Sequence, residues 1–357
     1  IAPFKPVAVS GTTPSLNVGT YNFFSQGALT ANTTVSFASV PTNARWSYSF
    51  KPAVTSDTWD VSTASYLQTL SVAAQENVLM GVFFKPDGLK MYITGQSGDD
   101  VNEYDLSTAW DVSTASFLQL FSVSAQDTSP QGVFFKPDGL KMYVVGLLND
   151  SVYEYDLSTA WNISTAVYLQ LLSVTARESQ PRGVFFKPDG LKMYIVGDAG
   201  DEVNEYDLST AWDITTAVFL QLFSVVGQDN IPSSVFFKPD GLKMYMLGDQ
   251  GNYIDEYDLS TAWDISTAVY LQTHYVGAQD TSPSGVFFKP DGTKMYMVGY
   301  ASDGVNEYEL GTVSTVTLPA AVENSPAQVL TRDTQVTYDF YTLDGGTTVT
   351  LIGEEVV

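Results

Sequence analysis

Two sets of acidic residues recur along this 357-residue chain at a fixed spacing of 51. Glu76, Asp127, Glu178, Asp229 and Asp280 form one set. Asp99, Asp150, Asp201 and Asp303 form the other, with Asn252 in the fourth place. Carboxylates gathered in a ring could hold cations or accept hydrogen bonds from sugar hydroxyls. Asp and Asn ahead of a strand also cap turns, and a repeat copies a cap automatically. The residue types alone leave both readings open. Arg177, Arg182, Tyr253 and Tyr300 break the repeat pattern, and if exposed they would suit sugar stacking or carboxylate contacts. The candidate ligand-binding set is the nine ring carboxylates with Arg182 and Tyr300. Asp198-Ala-Gly-Asp-Glu has oxygen ligands within reach of Ca²⁺ but lacks EF-hand spacing, so no metal is expected.

Catalysis finds little footing. The one histidine, His274, falls in a predicted outer strand where other copies carry Leu or Phe, which marks a packing position. Without a loop histidine no Ser-His-Asp set can be drawn. Acidic pairs are numerous because they repeat, so glycosidase chemistry cannot be read from them. There is no phosphate-cradling glycine loop, and there are no cysteines. No catalytic residue and no cofactor are expected, and the chain reads as a non-enzyme. A formal charge of −24 repels nucleic acid and anionic membrane. No apolar run is long enough to span a bilayer and no signal peptide is evident, so membrane insertion is not expected. The chain starts at Ile1 rather than Met, which leaves upstream residues open.

The elements that position these residues come from the repeat. Phe-Phe-Lys-Pro-Asp-Gly starts at Phe83, Phe134, Phe185, Phe236 and Phe287, and a Trp recurs on the same beat from Trp59 to Trp263. A fixed period of that size means one supersecondary unit stacked on copies of itself. In one unit, Gly81–Phe84 is a short apolar strand and Pro86-Asp87-Gly88 a tight turn. Leu89–Gly95 returns, Val101–Leu106 alternates, and Ser116–Val123 is a fourth strand. Four antiparallel strands per repeat predict an all-β protein with a β-propeller, closed radially because closure leaves few open edges. A linear array of small sheets is the alternative.

The run Pro130 to Gly146 is similar to the innermost strands of NHL-like and lactonase-type propeller repeats, and Val152–Leu157 looks like their third strand. The resemblance covers about residues 64–310. It implies that the Phe-Phe strand is innermost and the Tyr-Leu-Gln strand outermost. Ser65–Val72 would then close the ring against the last blade, a three-plus-one closure with five blades. A sixth blade from Arg45–Phe50 is possible, but no Phe-Phe-Lys-Pro copy supports it. The flanks, 1–58 plus 311–357, carry no repeat and are expected to form one discontinuous β-sandwich with the 59–310 propeller inserted in it. Pro14–Phe23, Thr30–Phe37, Pro41–Phe50, Val316–Val322 and Thr342–Val349 resemble a module of bacteriophage tail fibres and related virion appendages.

That resemblance implies a non-enzymatic virion protein (tail fibre, spike or decoration), extracellular on the particle. Its partners would be other virion proteins and a host cell-surface glycan or protein, and an oligomer is expected. A secreted propeller enzyme acting on a polysaccharide or lactone, or a purely structural subunit, are the alternatives. Propeller loops alternate between two faces. The Ser-Thr-Ala-Trp connections on one face are nearly identical in all copies. The loops of the other face differ, as in Gln96-Ser-Gly-Asp against Leu147-Leu-Asn-Asp. Binding by that face, or simple drift of loops that nothing pins, would each leave this pattern. The flanking domain is expected to attach at the Trp face, leaving an acidic face free.

Overall fold

The computed structural model describes residues 58–311 without a break. In the flanks it describes 7–8, 15–17, 23–28, 33–38, 40, 44–51, 316–317, 322–323, 336–342 and 349–356. The chain divides into two compact units, Trp59–Leu310 and the two flanks taken together.

Trp59–Leu310 is a β-propeller of five four-stranded antiparallel blades. Blade 1 runs from the innermost strand Leu79–Phe84 through Lys90–Gly95 and Asp100–Leu106 to the outermost strand Ala115–Ser122. Blades 2, 3 and 4 repeat that order from Pro130, Pro181 and Pro232. In blade 5, Pro283–Phe288, Lys294–Gly299 and Gly304–Glu309 are completed by Ser65–Ser71, the earliest strand of the unit. Gly304 pairs with Ser71 and Glu309 with Ser65, which closes the ring three-plus-one. Ala44–Lys51 pairs with Val336–Thr342 in the flanking unit, so it seeds no sixth blade.

Burial accounts for the strand sequences. The innermost strands lie between neighbouring blades, are almost wholly buried and end in the apolar run Val-Phe-Phe. The outermost strands alternate between exposed and half-buried residues. The hexapeptide is fixed by its turn. Gly88 has φ +74°, and a Cβ there would lie 2.4 Å from Nε1 of Trp110. Glycine is therefore required both by the dihedral and by the indole packed against it.

Trp110, Trp161, Trp212 and Trp263 themselves sit at φ between 64° and 67°. A bulky residue there costs roughly 1–3 kcal/mol, so the surroundings must hold it. The Trp110 N–H donates to the Gly88 carbonyl at 3.0 Å. The Trp161 carbonyl accepts from the Tyr92 hydroxyl of the preceding blade at 2.7 Å. The Trp161 indole stacks on Phe135 of its own blade and Phe83 of the preceding one, at 5.7 and 6.4 Å. Aromatic contacts of this kind contribute about 0.5–1.5 kcal/mol beyond the area they bury.

A buried polar relay joins each blade to the next. Glu103 accepts from Lys90 Nζ at 2.5 Å, Gln119 Nε2 at 2.8 Å and the Ile163 N–H of blade 2 at 3.2 Å. Gln119 also donates to Oδ1 of Asn162, which caps the 3₁₀ turn Ile163–Thr165. Burial alone would lower the pKa of Lys90, but its bonds to Asp105 and Glu103 outweigh burial and raise it. The closing seam uses the same relay, with Gln68 donating to both Glu307 and the Asp111 cap.

In the flanking unit a six-stranded sheet runs in the order Val7–Ala8, Phe23–Ala28, Ala44–Lys51, Val336–Thr342, Val349–Val356, Val322–Glu323. Its central pairing joins a strand from each end of the chain. Two short parallel pairs join Ser15–Asn17 to Ser36–Ala38 and Thr33–Thr34 to Val316–Thr317. Much of the sequence that carries the tail-fibre resemblance lies outside the described residues.

Candidate functional site

The loops that differ between copies precede the innermost strand and follow the second strand, so they share one face. The first acidic ring lies beneath that face, not on it. Glu76, Asp127, Glu178, Asp229 and Asp280 are all buried, at 0–3% exposure. Glu76 accepts from the backbone N–H groups of Val78, Ser97 and Gly98 at 2.7, 3.0 and 3.2 Å. Asp280 does the same for Ser282 and Ser302, at 2.8 and 2.9 Å. Each carboxylate thus staples two loops that are about twenty residues apart in sequence. The glycine ending the second strand makes room for it: a Cβ at Gly95 would fall 2.1 Å from the Glu76 carboxyl group. The sequence reading sets these five on the exposed face; they are instead buried, and apart from Glu178 Oε2, which has no hydrogen-bond partner, their oxygens accept from backbone donors that would otherwise be buried unpaired.

The second ring is a set of turn residues. Asp99, Asp150, Asp201 and Asp303 have φ between 46° and 51°, and Asn252 has 57°. Asp and Asn tolerate this left-handed conformation better than other non-glycine residues. Their carbonyls accept the N–H of Val123, Val174, Val225, Val72 and Val276 at 2.8–3.0 Å. The side chains stay half-exposed, and Asp150 Oδ2 accepts from Thr175 Oγ1 at 2.8 Å.

The residues that break the repeat are distributed differently. Arg182 Nη2 pairs with Asp198 Oδ2 at 3.1 Å, while its Nε is shielded from solvent and has no hydrogen-bond partner. Arg177 lies 3.9 Å over the Phe219 ring, a cation–π contact. Tyr300 is exposed. Tyr253 pairs with Tyr275 at 5.3 Å, and both are exposed. The other blades have Asp100, Ser151, Glu202 and Gly304 at the first of these positions and serine at the second. Sequence reasoning weighed Asp198 only as a Ca²⁺ ligand and did not single out Tyr275, Leu148 or Asp249. Comparison of every loop position across the five copies carries the signal for all four.

The channel axis meets this face. Phe83, Phe134, Phe185, Phe236 and Phe287 form a closed ring, each 5.2–5.3 Å from the next. Above it the strands approach so closely that a Cβ on Gly132 would lie 3.0 Å from the Arg182 carbonyl. An axial cavity of about 30 Å³ remains, lined by the Phe ring, the glycines, Arg182, Ser233 and Ser284. Ligand pockets for drug-sized molecules run to roughly 300–1,000 Å³. This one has room for about two waters. His274 lies in the outermost strand of blade 4, 5.8 Å from the Tyr308 ring, and burial lowers its pKa.

No family model matches the chain, and no curated protein matches its sequence. Similar folds occur among solved structures. A functionally unknown protein from Desulfotomaculum acetoxidans is 12% identical with a TM-score of 0.39, over 77% of this chain and 69% of that one. Hydrazine synthase from Kuenenia stuttgartiensis is 18% identical with a TM-score of 0.41, over 78% and 67%. A candidate 6-phosphogluconolactonase from Bacteroides uniformis is 13% identical with a TM-score of 0.41, over 78% and 85%. At this distance the likeness carries no argument about activity.

Proposed function

We propose that the propeller is a non-enzymatic recognition head whose varying face binds a host-surface glycan or protein, displayed on a virion appendage. The observation that carries this reading is the split between frame and tips. In all five blades a buried carboxylate holds the same two loops. The tips it holds are free to differ, and apolar or aromatic groups are exposed on this face, Leu148 and Tyr300 in the loops and Tyr253 and Tyr275 at the adjoining strand ends. A rigid frame carrying variable tips lowers the ordering cost of binding. Tyr is favoured in such surfaces because it offers a large contact area at small entropic cost. The virion setting rests on the flank resemblance, and several similar loops would add avidity if the appendage is oligomeric. Against turnover in the channel stands an axial cavity with room for about two waters.

The test uses the full chain, fluorescently labelled, on a panel of bacterial cells and on their isolated envelope glycans. Adhesion to at least one strain is expected, and exchanging the loop tips for those of blade 1 should abolish it. Adhesion that survives every tip exchange would refute the recognition role. Turnover of polysaccharide or lactone substrates by the same preparation would favour an enzyme.

A further inference from the structure

The asymmetry of the varying face is concentrated at the channel mouth. One repeat position on the innermost strand holds Met80, Gln131, Arg182, Ser233 and Ser284, while the Val-Phe-Phe that follows is invariant. The position just after the second strand holds Gln96, Leu147, Asp198, Asp249 and Tyr300. In blades 3 and 4 these positions hold one guanidinium and two carboxylates. Asp198 pairs with Arg182 through a single 3.1 Å bond. Asp249 is half-buried. Burial raises its pKa, and so do the charges of Asp229, Asp280 and Asp198, while Arg182 opposes them. Serine fills the Arg182 position in the next two blades without disturbing the strand. Blade 3 instead carries an arginine that makes one bond, to Asp198, and whose Nε is shielded and unpaired, a cost of about 1–3 kcal/mol. Arg182 is also one of the residues that line the axial cavity.

We infer that Arg182, Asp198 and Asp249 form a hydroxyl-recognition site at the channel mouth, which takes the end of a neutral sugar. The inference rests on the recognition role proposed above and names its ligand class. The charge balance selects the class. Two carboxylates beside one guanidinium disfavour a carboxylate or phosphate ligand, and the guanidinium disfavours a bare cation. A vicinal diol satisfies both kinds of group, accepting from Arg182 and donating to the two aspartates. The small cavity admits only the tip of such a ligand. Tyr300, exposed at the same repeat position in blade 5, supplies an aromatic face for the rest of the ring.

The experiment titrates the full chain with methyl glycosides of glucose, galactose, mannose and N-acetylglucosamine, using ligand-observed NMR, with glucuronate and calcium chloride as counter-probes. Arg182→Ser and Asp249→Leu are the test variants. Each installs a residue already present at the same position in another blade, so both variants should keep the propeller fold. The wild type is expected to bind at least one neutral glycoside, and each variant to weaken it by roughly tenfold or more, the loss expected for one charge-assisted hydrogen bond. Binding that is unchanged in Arg182→Ser overturns the site, as does a preference for glucuronate or a requirement for calcium. If none of the glycosides binds but the protein still adheres to cells, and tip exchange at Tyr253 or Leu148 removes that adhesion, this site fails while the wider role of the face stands. If nothing adheres at all, both fail.

Discussion

The two faces of the propeller come from one repeat, yet only one of them is uniform. On the Trp face nearly every polar group of the connection is used. Asp111 caps the 3₁₀ turn, Thr114 Oγ1 donates to the Asp111 carbonyl at 2.8 Å, and the neighbouring blade's Gln68 reaches the same cap at 2.9 Å. A substitution there leaves a partner short of a hydrogen bond, so the copies differ only conservatively, as at the Asn162 cap of blade 2. On the other face one carboxylate per blade does the pinning and the tips are released. Variation stops at that carboxylate: it is Asp in three blades and Glu in two, and a neutral residue in none. Loops drifting without constraint would also differ in their tips. They would not keep five buried carboxylates beneath those tips.

The comparison can be broken most decisively on the uniform side. Glu103→Ala removes the acceptor shared by Lys90, Gln119 and the Ile163 N–H. It leaves the half-buried Lys90 with Asp105 alone and the Ile163 N–H and the Gln119 amide short of an acceptor at a blade seam, and a loss of about 3–5 kcal/mol is expected in urea unfolding. A cost below about 1 kcal/mol would mean that the relay does not join the blades.

A smaller effect, of opposite sign, is expected beneath the varying face. Asp255 is buried and its Oδ2 has no partner. Burial above all, with the charge of Asp229, pushes its pKa from 3.8 up to about 6, against the bond from Thr273. A carboxyl group raised in the folded state contributes stability in full below its unfolded pKa and loses it as pH rises through the folded one. Asp255→Asn should therefore match the wild type near pH 4 and exceed it by about 2–3 kcal/mol near pH 8, since each pKa unit is worth about 1.4 kcal/mol. Equal unfolding curves at both pH values would show that the carboxyl group is not strained.

Asp127→Ala should cost about 1–3 kcal/mol, and the damage should stay local. The amides of Ser129 and Asn149, which donate to Asp127 at 2.8 and 3.1 Å, should exchange faster with solvent. Amides on the Trp face should keep their protection. Loss of protection on both faces together would mean that the two are not independently held.

The difference between the faces also sets what the sequence disclosed. The spacing of Trp and Phe-Phe-Lys-Pro-Asp-Gly was enough for the five repeats, because they follow from counting, while the strand order and the latch at Ser65 came from the resemblance to NHL-like and lactonase-type repeats. The roles of the acidic rings were not legible in the same way. Whether Glu76 faces solvent depends on Val78 and Ser97 folding over it from both sides, and spacing does not carry that information. Glu103 passed unnoticed within an alternating strand, since its partners come from three different segments. The Arg182 site shows only when the copies are compared position by position, because identical repeats hide where one of them departs.

The smallest expected effect is the one on which the contrast depends. Leu148 is 65% exposed at the tip of the blade 2 loop. Its backbone N–H already reaches Asp127 Oδ1 at 3.4 Å, so the loop position is set without the side chain. Leu148→Ser, the residue at the matching place in blade 1, Ser97, should leave the unfolding midpoint within the change expected for about 0.5 kcal/mol. It should still alter adhesion to whichever surface the face recognises. A large fall in stability would show that the tip packs as part of the fold. The varying face would then be a second structural face with a different sequence, and recognition would have to be sought elsewhere on the chain. An unchanged midpoint with altered adhesion would place frame and tip under separate constraints within a loop whose tip lies about twenty residues from the carboxylate that anchors it.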